Sequence, residues 1–319
     1  LPASLQRKLK ALKAGRDKLG VKVETSLREA LHSAATRLSG LATARRDAQL
    51  LLLRVLGRDR AWLFAHPDGV LSEAQARQFD EWIERRARHE PVQYIVGEQE
   101  FYGLKLQVTP DVLIPRPETE HLVEAVLRRF SPGNVVRIVD VGTGSGAIAI
   151  ALAHALPQAE VTGLDISAAA LEIARQNAAR CEVNGRIRWL KSNLLAAVRG
   201  ESFDAIVSNP PYVAEAATLE AQVRLYEPRE ALFAGPTGLE IYERLIPEAR
   251  EALHPIRANY GAMGTPALAP GGWLLLEIGH GQRDALRELL VDWGGVEFVA
   301  DLQGIPRVAI ARRRLTKEA

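Results

Sequence analysis

The sequence predicts an α/β fold: a mostly parallel sheet with helices on both faces, preceded by a small all-helical unit. Three observations predict it. From about residue 134, apolar runs of strand type alternate with runs of helical periodicity, as in parallel strands joined by helical crossovers. A turn with glycines at 142, 144 and 146 joins the first of these strands to its helix. Residues 24–90 carry helical periodicity and no strand-type run.

In chain order, residues 1–23 form a basic tail with seven Lys/Arg and one acid. The formal net charge is +2, so a tail of +6 leaves −4 for the remaining residues. A mildly acidic body is a poor phosphate binder, because counterion release needs clustered cations. This disfavours stable nucleic-acid binding. The tail reads as a solvated segment, with a nucleic-acid arm as the sharper alternative. The sole methionine is Met263 and a well-formed helix start follows Val23, so residues 1–22 are expected to lie upstream of the natural start.

Residues 24–90 are expected to be an all-helical N-terminal unit. Thr25 or Ser26 caps a helix with Leu27, Ala30, Leu31, Ala34 and Leu38 on one face. A second helix spans 44–56 and ends at Gly57, and Ser72 begins a third. Such short helices need a shared core. Trp62, Phe64, Phe79 and Trp82 are expected in it, and Arg85, Arg86, Arg88 and His89 at a solvated helix end. Residues 91–120 read as a hairpin linker, with β-type runs at 93–96 and 104–108 punctuated by prolines and glycines. Residues 121–315 then form the α/β domain.

There, strands are expected at 135–141, 160–166, 187–190, 203–208, 273–278, 296–301 and 307–311. Helices are expected at 147–156, from Ser167 to about 179, at 239–253 and at 283–293. The turn at 302–306 is too short for a crossover, so the last two strands pair antiparallel. Residues 254–270, rich in Pro, Gly and Ala, read as a loop insertion.

Two loops carry the chemistry. In Val-Asp-Val-Gly-Thr-Gly-Ser-Gly-Ala (139–147), Gly142, Gly144 and Gly146 let the backbone turn sharply and approach a ligand, with Thr143 and Ser145 between them. A nucleotide-fingerprint loop and a tight strand–helix turn are both compatible with this spacing. Asp165 ends the second strand, where a carboxylate accepts ribose hydroxyl protons; nicotinamide and S-adenosylmethionine enzymes share that feature. Asp140 is positioned to orient the loop amides.

Ser-Asn-Pro-Pro-Tyr (208–212) follows an apolar strand and so lies at the carboxyl edge of the sheet, where open α/β folds bind ligands. It suits the holding of a planar nitrogen. The Asn209 carboxamide oxygen and the Pro210 carbonyl each accept one N–H. Pro210 and Pro211 have no N–H to compete and fix extended backbone before them. Tyr212 covers the flat face of the amide. Alignment of nitrogen and methyl at about 3–3.5 Å supplies several kcal/mol. No base need remove a proton first, because methyl transfer neutralises the sulfonium.

The chain resembles the HemK/PrmC family, the peptide chain release factor glutamine methyltransferases. The resemblance rests on Asn-Pro-Pro-Tyr together with Pro-Val-Gln-Tyr-Ile-Val-Gly (91–97), Glu-Phe-Tyr-Gly-Leu (100–104), Val-Leu-Ile-Pro-Arg-Pro-Glu-Thr-Glu (112–120) and Tyr-Glu-Pro-Arg-Glu-Ala-Leu (226–232), and covers residues 24–313. It implies a class I S-adenosylmethionine-dependent methyltransferase with a Rossmann-like, seven-stranded, mostly parallel sheet and an antiparallel last strand. It implies S-adenosyl-L-methionine as donor, S-adenosyl-L-homocysteine as product, and N5-methylation of the glutamine in the Gly-Gly-Gln motif of class-1 release factors. Gly142 to Gly146, Asp165, Asn193, Leu194 and Asn209 would hold the cofactor, and Asn209 to Tyr212 the glutamine. Asn209, Pro210 and Tyr212 would be catalytic, residues 24–90 would be the substrate-recognition domain, and residues 121–315 the methyltransferase catalytic domain.

Asn193 stands where the family usually has Asp, and Leu194 where it often has an aromatic, so weaker cofactor binding is expected. Ile305-Pro306-Arg307 replaces a usual Asp-Arg, and the 254–270 insertion is not typical. Alternatives are glutamine methylation of a large-subunit ribosomal protein, exocyclic-amine methylation of nucleic acid, and a non-enzymatic cofactor-binding scaffold. One cysteine, Cys181, suits a reducing cytoplasm and a helix-end packing role. His66, His89, His121, His154, His254 and His280 lack metal spacing, and no spanning segment occurs, so a metal-free, cytoplasmic monomer is expected.

Overall fold

The computed structural model describes residues 25–253 and 271–314. The basic tail at 1–23 and the 254–270 insertion, with His254 and Met263, lie outside the described residues. The chain divides into two compact units between Val96 and Gly97.

The first unit holds helices Leu27–Arg37, Ala44–Leu56, Arg60–Ala65, Glu73–Ala87 and Val92–Val96. Ser26, rather than Thr25, caps the first. Its hydroxyl accepts from the Glu29 amide while the Glu29 carboxylate accepts from the Ser26 amide. Ser72 and Gln75 repeat that reciprocal arrangement. Leu27, Leu38, Leu51, Leu52, Phe79 and Ile83 form the core.

Three expectations are corrected in this unit. Residues 93–96 are helical, not strand, because Pro91 opens a helical turn: the amides of Tyr94 and Ile95 both donate to its carbonyl. Phe64 is 71% exposed; on its six-residue helix Leu63 takes the inward position, and the Arg60 guanidinium lies over the Phe64 ring. Arg86 is buried. Its Nε donates to Asp47 Oδ2 at 2.7 Å, and its Nη1 to the Glu90 carbonyl at 3.0 Å. Asp47 is itself buried and needs a cation, since an unpaired buried charge is costly.

The second unit opens with an antiparallel hairpin, β1 (Glu98–Phe101) and β2 (Leu104–Gln107). Then come β3 (Arg137–Val141), β4 (Glu160–Asp165), β5 (Ile187–Lys191), β6 (Ala205–Ser208), the short parallel pair β7 (Val213–Ala214) and β8 (Phe233–Gly235), β9 (Trp273–Glu277), β10 (Gly294–Ala300) and β11 (Pro306–Arg312). The main sheet has seven strands in the order β10–β11–β9–β6–β3–β4–β5. All neighbours are parallel except β11, which runs antiparallel to β9 and β10.

Period-2 alternation splits its side chains between two cores. Ile138, Val161, Val207 and Leu275 face one, with helices Glu120–Leu127 and Ala147–Ala155. Val139, Val141, Leu164, Ile206 and Leu276 face the other, with helix Glu240–Ala252. Helix Ala168–Arg180 is capped by Ser167, as expected, and its C-cap is the half-buried Cys181.

Two strands start later than expected. Val135 is exposed, and Phe203 makes only an isolated bridge to Leu253. Arg307 pairs with Asp301 at 2.9 Å across the last hairpin. Among the described residues no helix is long and apolar enough to cross a membrane.

Candidate active site

The chain builds β3, β4 and β5 outward in one direction, then returns to place β6 on the other side of β3. A ligand crevice is expected at that reversal, beyond the carboxyl ends of the strands. Register aligns Val141 with both Leu164 and Ser208, and Asp165 with Lys191. The glycine loop, Asp165, the 193–194 turn and Asn209 therefore emerge from four adjacent strand ends.

The amides of Gly142 and Thr143 both donate to the Leu164 carbonyl at 2.8 Å, which bends the loop over β4. Gly142 and Gly144 adopt φ of +73° and +54°, and a Cβ at either would meet nothing within 4 Å. They border open space, whereas a Cβ on Gly146 would strike Ile150 at 2.9 Å. Close packing thus excludes a side chain at Gly146. Asp165 Oδ2 accepts from the Gly144 amide and Oδ1 from the Ser167 amide, each at 2.8 Å. Two lone-pair positions on that carboxylate remain for hydroxyl donors. Burial raises its pKa against the pull of these amides.

Asp140 does not orient the loop amides as expected. It is fully buried, and its Oδ2 instead accepts from the Thr143 hydroxyl at 2.6 Å. Its Oδ1 is buried without a hydrogen-bond partner, and desolvation pushes its pKa up to about 7. Open glycines, a fixed strand-end carboxylate and a buried acid with spare acceptor capacity fit a cationic nucleoside such as S-adenosylmethionine. Asn193 is exposed and its Oδ1 accepts from Arg244 at 2.8 Å. Leu194 has φ +50° and packs half-buried against the core.

Ser208 anchors the next loop by donating its hydroxyl to the Val141 carbonyl at 2.6 Å. Asn209 Nδ2 donates to Thr119 Oγ1 at 3.1 Å. Pro210 is buried, and Pro211 and Tyr212 are partly so. Gln282 bridges the Tyr212 carbonyl (3.0 Å) and the Gly238 carbonyl (3.1 Å). The Tyr212 hydroxyl points to Glu277 Oε1 at 3.5 Å, and burial raises the pKa of the phenol.

Sequence reasoning missed several of these partners. Thr119 and Glu277 are both buried beneath the loop, and Glu277 is only 2% exposed. An acid closing the apolar run Trp273–Glu277 is a readable signal, because a strand buried on both faces rarely carries one. Ile166, beside Asp165, is 55% exposed and offers an apolar contact for a flat ring. Glu227 holds two family-like segments together, accepting from the Ile114 amide at 3.2 Å and pairing with Arg116.

Family models match this chain as PrmC N-terminal domain over residues 29–97 and methyltransferase small domain over residues 118–232. A release factor glutamine methyltransferase of Koribacter versatilis is 45% identical, over 90% of this chain and 99% of the relative. One from Moorella thermoacetica is 43% identical, over 91% and 99%. Among solved structures, the hMettl16 catalytic domain in complex with a MAT2A 3'UTR hairpin matches with TM-score 0.50 at 15% identity, over 77% of this chain and 83% of that one, a likeness of fold alone.

Proposed function

The chain belongs to the release factor glutamine methyltransferases, and from that premise we propose that it methylates the side-chain amide nitrogen (N5) of the glutamine in the Gly-Gly-Gln motif of class-1 peptide chain release factors. The donor is S-adenosylmethionine, which supplies an electrophilic methyl carbon on a sulfonium. Gly142, Thr143, Gly144, Ser145, Asp165, Asn193 and Leu194 hold it, with Ile166 against its flat base.

One observation carries the reading. Asn209 Nδ2 is committed to Thr119, which leaves Oδ1 as the free end of the carboxamide. A free carbonyl oxygen accepts an N–H, so it selects an amide that donates. The Pro210 carbonyl takes the second N–H. The two contacts fix the amide plane so that its nitrogen faces the glycine loop. Tyr212, held through its own carbonyl by Gln282, covers the plane of the amide. The first unit grips the release factor.

The test is incubation of purified release factor with enzyme and donor, followed by mass spectrometry of the Gly-Gly-Gln peptide. One added methyl on that glutamine is expected. Methylation only of a ribosomal protein or of RNA would overturn the reading.

A further inference from the structure

A tyrosine covers an amide only if its ring stays in one place, and Tyr212 gains little hold from its own loop. Pro210 and Pro211 restrict the backbone at residues 209–211. Beyond them β7 is two residues long and meets β8 through an irregular register. The Tyr212 hydroxyl, 3.5 Å from Glu277, is at the limit of a hydrogen bond. The hold comes from elsewhere.

We propose that Gln282 is a positioning residue for methyl transfer, clamping Tyr212 by its carbonyl and by its ring, an inference that rests on the function proposed above. Gln282 lies in the turn after β9, whose carboxyl end adjoins that of β6. Its Nε2 donates to the Tyr212 carbonyl at 3.0 Å and to the Gly238 carbonyl at 3.1 Å. Its Oε1 accepts from the Gly279 amide at 2.9 Å. A carbonyl only accepts and an amide N–H only donates, so the carboxamide has a single permitted orientation. One side chain thereby ties together the loop after β6, the turn before helix Glu240–Ala252 and the end of β9.

Two glycines seat this clamp. A Cβ on Gly238 would lie 2.6 Å from the Tyr212 carbonyl oxygen and 3.1 Å from Gln282 Nε2. A Cβ on Gly279 would lie 2.9 Å from Tyr212 Cδ2 and 2.8 Å from Gln282 Oε1. The Gly279 backbone is not left-handed, so what this glycine provides is room for the ring. Glu240 holds the Gly238 turn from the other side, its Oε2 accepting from the Gly238 amide at 2.9 Å. A bridge that only joined carbonyls would not need the edge of an aromatic ring against it. Here the main chain and the ring of Tyr212 rest on the same three residues.

Single-turnover methylation of release factor is compared in wild type, Gln282→Glu, Gln282→Met, Tyr212→Ala and the double variant Tyr212→Ala with Gln282→Met. Gln282→Glu keeps the size and the acceptor for Gly279, and sets a carboxylate against two carbonyl oxygens. Gln282→Met keeps the bulk and removes all three bonds. Each should lose about 10- to 100-fold in rate, the scale of a displaced positioning group. Donor Kd should stay within about threefold of wild type, since the loss falls in turnover rather than ground-state binding. On the Tyr212→Ala background, Gln282→Met should cost less than about twofold, because the ring it positions is gone. A wild-type rate in Gln282→Glu, or the full loss repeated without the ring, would overturn the proposal. If circular dichroism shows Gln282→Glu to be unfolded, Gln282→Met and the double variant decide it alone.

A second readout needs no acceptor. In protein labelled with 3-fluorotyrosine, the Tyr212 19F signal, assigned by its loss in Tyr212→Phe, should move toward that of free fluorotyrosine in Gln282→Met while the other tyrosine signals keep their places. An unmoved signal overturns the clamp. Absent methylation by wild type counts against the proposed function instead, and leaves the 19F signal to decide.

Discussion

Asn209 and Tyr212 divide the work at the level of single side chains. Asn209 offers one carbonyl oxygen, and its other end is held by Thr119. Asn209→Ala removes the acceptor and keeps the backbone, so methyl transfer should be abolished while donor affinity stays within about tenfold, as expected when the lost contact is made chiefly to the glutamine and the remaining donor contacts persist. Loss of turnover together with donor binding, read by isothermal titration, would assign Asn209 to the fold instead. Tyr212 acts by shape. Its hydroxyl lies 3.5 Å from Glu277, at the limit of a hydrogen bond. Tyr212→Phe should therefore stay close to wild type, and Tyr212→Ala should slow single-turnover transfer by up to about 100-fold through a loosened amide. Equal losses in the two variants would show that the hydroxyl matters and the ring does not.

At the scale of elements, the glycine loop depends on what lies beneath it. A Cβ added to Gly163 on β4 would sit 2.3 Å from the Trp189 ring on β5, and one on Gly146 would sit 3.1 Å from the same ring. Trp189 thus fills the space under the loop, which only a strand glycine leaves free. Gly163→Ala should force the ring toward the loop, cost roughly 1–3 kcal/mol in urea denaturation, and weaken donor binding. Unchanged stability with unchanged donor affinity would count against this support.

This level also separates what was legible in the sequence from what was not. Ser26, Ser72 and Ser167 announced their helices because a cap and an apolar periodicity coincide there. The Asn209 loop was legible because a rigid Asn-Pro-Pro-Tyr ends an apolar strand. Residues 93–96 were not, since a run of four with three β-branched or aromatic residues (Tyr94, Ile95 and Val96) suits either structure and Pro91 decided it. Nor was the partner of Asn209: Thr119 lies far away in sequence, just before helix Glu120–Leu127, and meets the carboxamide only in the folded chain. Arg86 was misread for the same reason, as its partner Asp47 lies on another helix.

Across the whole molecule, the site leaves a mark on stability. Asp140 and Glu277 are both buried acids with pKa values raised to about 7, from ordinary values of 3.8 and 4.5. Between those limits the folded protein binds more protons than the unfolded chain. Their contribution is therefore fully present below about pH 4 and is lost as pH rises through 7. The sign is opposite to that of Asp301, whose pKa is lowered chiefly by the Arg307 hydrogen bond and whose contribution is lost as pH falls. Each pKa unit is worth about 1.4 kcal/mol, so Asp140 alone sets an upper bound of about 4 kcal/mol. Asp140→Asn stays neutral at every pH and isolates the effect. Measured by urea denaturation without donor, its stability relative to wild type should improve steadily from pH 5 to about 7 and level off above that. A difference that stays flat over that range would mean that Asp140 ionises in the folded protein as it does in the unfolded chain. Otherwise the acid beneath the glycine loop is one that the fold tolerates at a cost, which ties the stability of the second unit to the charge its cofactor crevice must carry.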